Sequence, residues 1–218
     1  MASWIVHLRI AEKLIDKLDV DLDEKLYYIG NIAIDSGKAS EDGFSFYPPK
    51  SVSHYTKTGR MSDVDYLGFY EEYCRGKNMS EYSFYLGCFH HLYTDFLWDK
   101  LIYSGLIEKY ANQIKKDKKF VYNFKQDWYD QDFVFIKKHI DFIGLKTLKE
   151  IDYFENVYLP WFKKDAVDNK IKEIVEFYSI FPENLKREYL YTNEEKMNKF
   201  VDDACEILYN STLKLLEK

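Results

Sequence analysis

Two histidines and an aspartate stand inside YLGCFHHLYTDFLW, residues 85–98, whose other residues are almost all apolar or aromatic. His91 and Asp95 are four apart, so on a helix they share a face with Cβ atoms about 5–6 Å apart. A helix that is apolar on nearly every side belongs in an interior. There an unpaired carboxylate is strongly destabilising unless it is neutralised, paired or bound to a cation. His-x-x-x-Asp on such a helix offers one nitrogen and one oxygen donor aimed the same way, as a metal site needs. Taken alone, the pair reads more simply as a hydrogen-bonded core contact. His90 points about 100° away and reads as an ordinary buried histidine.

Other residues share this character. His7 falls on the apolar stripe of the first amphipathic segment, in line with Ala11, Leu14 and Leu18. Asp35 closes the apolar run LYYIGNIAID. A carboxylate there meets the negative end of a helix dipole unless a cation compensates, although DSG is also an ordinary helix stop. His54 lies in SVSHYTK and also reads as plain surface. The set His7, Asp35, His54, His91 and Asp95 supplies nitrogen and oxygen donors without cysteine, which suits zinc and also iron, manganese or nickel.

Helices must position these residues. Only four prolines and nine glycines punctuate 218 residues, and no alternating β-branched run stands out. The pattern predicts helices over about 4–18 and 23–35, then an irregular stretch from Ser36 to about Met61. Ser62 is expected to cap a helix to about 75, and Ser80 one running to about 103. Further helices are predicted near 106–116, 127–139, 147–162, 165–180 and 193–216, the last opened by a capping box, Thr192-x-x-Glu195. The expectation is one all-α domain spanning 1–218, a compact multi-helix bundle.

Hydrophobic residues make up 46% of the chain, enough for a sizeable core. The net charge of −6 argues against a broad nucleic-acid surface. Cys74, Cys88 and Cys205 are scattered, which suits a reduced compartment. With no leader pattern and no long apolar run, a cytoplasmic address without a membrane span is expected.

In order, MASWIVHLRIAEKL, YYIGNIAIDSG, PPKSVSHYTK and YSFYLGCFHHLYTDFLW resemble the zinc-dependent phospholipase C family, and more closely its short intracellular bacterial relatives. The resemblance covers roughly residues 1–103. It implies a site of Asp35, His54, His91 and Asp95, with Asp95 bridging to a second ion that also takes His7. One or two zinc ions would then activate water for hydrolysis of a phosphoester, with a small phosphoester or phospholipid-like substrate. Two features depart from the pattern. Secreted members use an N-terminal amine on tryptophan, whereas Trp4 is internal here unless the chain is trimmed. The only histidine after Asp95 is His139, followed four residues later by Ile143, so the family's third metal is missing or rebuilt. The acidic DWYDQD (Asp127, Asp130, Asp132) is read as a helix start rather than as replacement ligands.

Phe46, Tyr47 and Tyr55 flank His54 as candidates for a substrate pocket or a cation–π cage; packing on the core is the plainer reading. The alternative to an enzyme is a catalytically inactive helical module that binds a metal, ligand or partner. An adjacent His-Asp phosphohydrolase pair is absent, since Leu92 follows His91. Residues 104–218 show helices but no chemistry.

Overall fold

A computed structural model describes residues 1–41 and 45–217. The fold is all-α. Its first half comprises α1 (Trp4–Lys17), α2 (Glu24–Ala33), α3 (Lys50–Ser53), α4 (Tyr66–Phe69) and α5 (Met79–Trp98). Then follow α6 (Ser104–Lys109), α7 (Ala111–Lys116), α8 (Val121–Lys138), α9 (Ile143–Lys149), α10 (Ala166–Phe177) and α11 (Glu194–Leu216). A two-residue antiparallel ribbon pairs Lys38–Ala39 with Phe46–Tyr47. No helix is long and apolar enough to cross a membrane among the described residues.

The central helix is α5, buried without interruption from Ser83 to Asp95. Its start is fixed by Asn78, whose side chain accepts from the Glu81 amide, and not by Ser80. Both residues suit an N-cap, and the earlier one lengthens the helix by about half a turn. Beyond Trp98 the helix widens into a π-turn over Asp99–Tyr103.

Helices α2 and α5 approach backbone to backbone. A Cβ on Gly30 would sit 2.0 Å from the Phe84 carbonyl oxygen, and one on Gly87 would sit 2.3 Å from that of Tyr27. Only glycine permits these backbones to touch. The crossing draws the end of α2, and with it Asp35, toward His91.

Several predicted boundaries need correction. The helix expected from Ser62 is a 3-10 turn, Met61–Asp63, then α4 capped by Asp65 and a π-turn over Tyr70–Cys74. The helix expected over 147–162 runs from Ile143 to Lys149. Beyond it, buried Asn156 donates to the carbonyls of Leu159 and Phe162 and accepts from the Leu159 amide. That side chain satisfies the backbone of a loop, so no helix is required. The capping box fails because the Thr192 hydroxyl accepts from Trp128 Nε1 at 3.1 Å. Asn193 caps α11 instead.

Candidate metal centre

All five sequence candidates converge. His7 comes from α1, Asp35 from the turn after α2, His54 from the end of α3, and His91 and Asp95 from α5. Donor atoms of His7, His91 and Asp95 lie within 4.8 Å of one another, as do those of Asp35, His54 and His91. Asp95 spans the two groups. Its Oδ1 lies 3.4 Å from His7 Nε2, and its Oδ2 lies 3.6 Å from His91 Nε2 and 3.8 Å from His54 Nε2. His54 Nε2 meets Asp35 Oδ1 at 3.2 Å, and His91 Nε2 stands 3.9 Å from the same oxygen.

The hydrogen bonds around the cluster orient it. His91 Nδ1 lies 2.7 Å from the Asn31 carbonyl oxygen. A carbonyl only accepts, so Nδ1 carries the proton, and Nε2 is the ring atom turned toward the carboxylates, where it would offer its lone pair to a bound cation. Asp35 Oδ2 accepts from Trp4 Nε1 at 2.9 Å, and Asp95 Oδ1 from the Ala2 amide at 2.8 Å. The His54 Nδ1 to Ser53 Oγ distance is 2.9 Å. The His7 ring stacks on His91 with centroids 3.9 Å apart and planes 6° from parallel.

Four atoms of the cluster are left over. His7 Nδ1 and Nε2, His91 Nε2 and Asp95 Oδ2 are buried without a hydrogen-bond partner among the described residues. The 3.4–3.9 Å approaches are close, but they lack hydrogen-bond geometry at these atoms. Buried polar atoms are nearly always satisfied. Three orphaned atoms, His7 Nε2, His91 Nε2 and Asp95 Oδ2, belong to one set of facing nitrogen and oxygen donors that fits a divalent cation.

Electrostatics separate the three histidines. Burial would lower His91, but the Asp95 and Asp35 carboxylates outweigh it and raise its pKa, as a cation in the same place would be favoured by them. Burial, with His91 alongside, pushes His7 down to about 4, and burial also lowers His54. Both are neutral donors at neutral pH. Burial alone would raise Asp95, but the Met1 ammonium and the His7 and His91 rings outweigh it and hold the carboxyl well below its usual range. Asp35 is likewise lowered, burial being outweighed by the His54 hydrogen bond and by His91.

Neither a family model, a curated protein nor a solved structure matches this chain. The arrangement itself therefore carries the reading.

A cavity of about 1290 Å³ opens over Asp35. Phe46 and Tyr47 line it, with Met1–Trp4, Lys50, Lys125 and Trp161. Tyr55 packs elsewhere, edge-on to Phe69 and Tyr73, with its hydroxyl donating to Glu72. His90 stands apart too. Its Nε2 bonds Thr212 Oγ1, whose own hydroxyl donates to Leu208, while Tyr27 donates to Nδ1. His139 stacks on Phe135, distant in the fold from the cluster.

The acids of α8 are fully engaged. Arg187 ion-pairs with Asp127 and Asp130 at 2.7 Å each. Asp132 accepts from Ser3 Oγ and the Tyr178 hydroxyl. Sequence reasoning missed Trp4 Nε1, the Ala2 amide and the Asn31 carbonyl. Of these only Trp4 had a signal, as a lone indole donor at the start of the first helix.

Proposed function

We propose that this protein is a metal-dependent hydrolase of phosphoesters. The carrying observation is the set of four orphaned atoms inside a buried His/Asp cluster that borders an open cavity. Asp35, His54, His91, Asp95 and His7 would hold one or two divalent ions, zinc being the best match to the donors and iron, manganese or nickel also suited. A bound ion there would supply Lewis acidity, acidifying water and offsetting charge on a phosphoryl group.

The chain's own residues do the positioning. Asn31 fixes the His91 tautomer, Trp4 aims Asp35, and the Ala2 amide holds one oxygen of Asp95 while leaving the other toward the histidines. The phosphoester assignment rests on the resemblance of the four ordered motifs to zinc-dependent phospholipase C. The open cavity at Asp35 favours catalysis over a purely structural ion, since structural sites are closed.

Metal content of purified wild type beside His91→Ala and Asp95→Ala, by plasma mass spectrometry, tests the reading. The expected outcome is one equivalent or more in wild type, little in either variant, and cleavage of bis(p-nitrophenyl) phosphate by wild type alone. A metal-free wild type that folds normally after supplementation would retire it.

A further inference from the structure

We propose that Lys50 and Lys125 form an anion subsite in the cavity, selecting phosphoesters that carry a further anionic group, a second phosphate or a carboxylate. The inference deepens the hydrolase reading above and rests on it for the reacting phosphoester.

Both lysines line the cavity that opens over Asp35. Lys50 begins α3 four residues before His54, and its carbonyl accepts from the His54 amide at 2.9 Å. The subsite and one cluster donor therefore ride on the same helical turn. Lys50 is half-buried; its ammonium sits against Met1 Sδ at 2.6 Å and over the Phe46 ring at 5.0 Å. Lys125 projects from α8 into the same space. Solvent in the cavity reaches it, and its ammonium lies over the Tyr122 ring at 5.4 Å. Burial lowers its pKa, Lys50 lowers it further, and Asp35 pulls it back.

Neither lysine has a carboxylate at ion-pair distance among the described residues. The contrast on the same wall is Lys170, which meets Glu173 at 2.6 Å. The acid that Lys125 senses, Asp35, is already committed to His54 and Trp4. Once Asp35 serves a cation, the two ammonium groups repel each other with no carboxylate within ion-pair distance of either among the described residues, although Asp99, Glu108, Asp165 and Glu173 also line the cavity. An anionic group in that space relieves the repulsion, and lysine serves as a compact point charge for phosphate.

The same geometry disfavours a quaternary ammonium headgroup. The Phe46 face that a cation–π cage would use already carries the Lys50 ammonium, and a second cation there would be repelled.

Inorganic phosphate, titrated calorimetrically into the full chain after chelation of metal, reads the subsite without turnover. Lys50→Met and Lys125→Met are each expected to weaken phosphate binding at least tenfold, and the double variant to abolish it. Lys199→Met, on α11 outside the cavity, should leave it unchanged, and all lysine variants should keep wild-type metal content. Vesicles of phosphatidic acid run in parallel separate the sources: binding to them that needs both lysines points to a lipid headgroup, and lysine-dependent binding of free phosphate to a soluble ester. Binding that survives the double variant, or none by wild type to either probe, overturns the proposal. Lysine-dependent phosphate binding by a metal-loaded protein that cleaves no ester removes the hydrolase reading and leaves the subsite standing.

Discussion

Two groups of buried carboxylates lie in this molecule, and they are built on opposite plans. On α8, every oxygen of Asp127, Asp130 and Asp132 has a partner. Arg187, the amides of Tyr191 and Thr192, Gln126, Ser3 and Tyr178 account for all six. At the His/Asp cluster, Asp95 Oδ2, His7 Nε2 and His91 Nε2 face one another with nothing to bond. Burial alone therefore does not mark a site; several unsatisfied nitrogen and oxygen donors facing one another do. Asp127 and Asp130 are spent on holding Arg187, Tyr191 and Thr192, and Asp132 on Ser3 and Tyr178, whereas the cluster keeps its bonding capacity in reserve.

The largest effect should come from breaking the satisfied group. Arg187→Met takes from Asp127 and Asp130 the only cation at ion-pair distance among the described residues. Breaking a buried ion pair costs up to about 3–5 kcal/mol, an upper bound here because Arg187 is partly exposed and the Tyr191, Thr192 and Gln126 donors remain. A large drop in the urea midpoint is expected, with metal content unchanged; a midpoint within error of wild type would erase the contrast. Next, chelation of wild type should lower stability by about 2.7 kcal/mol if metal had been present at a hundredfold over Kd. Asp95→Asn should show no such loss on chelation, because its cluster no longer holds the ion.

Smaller changes sharpen the comparison. Trp4→Phe removes the indole donor to Asp35 Oδ2, and loss of such a supporting bond weakens metal affinity by about tenfold or more. Competition with a chromogenic chelator measures this, and an unchanged affinity would show that Asp35 needs no help from Trp4.

The smallest effect concerns pH. Burial raises Asp132 to about 7, against hydrogen bonds from Tyr178 and Ser3 that lower it. Its folded pKa lies above the ordinary 3.8, so its contribution to stability is full below about 4 and fades as pH climbs through 7. Between pH 6 and 7 the loss is about 1 kcal/mol. Asp132→Asn should remove that portion, read as the difference in urea midpoint at the two pH values. Equal losses in wild type and variant would contradict it.

Much of the fold was legible because apolar periodicity and apolar saturation are local signals. The interior position of α5 follows from its residues alone, and so does the shared face of His91 and Asp95. The convergence of His7, Asp35 and His54 on that face was implied by the resemblance of the four ordered motifs, since His54 by itself reads as plain surface. What the sequence hides are the contests between neighbours. Asn78 prevails over Ser80, Asn193 over Thr192, and Asn156 turns 150–165 into a loop because one amide can replace several backbone bonds. The glycine contact of α2 with α5 is equally silent in sequence, since Gly30 and Gly87 gain their meaning from each other.

His90, which takes no part in the cluster, controls its angular tolerance. Tyr27 grips the ring from α2 and Thr212 from α11, so α5 is keyed against rolling about its own axis. A side-chain tip about 7 Å from a helix axis sweeps about 0.6 Å for every 5° or so of roll, comparable to the roughly 0.5 Å within which a functional constellation must be held. Two adjacent histidines thus divide the labour of one helix: one sets the azimuth that the other uses.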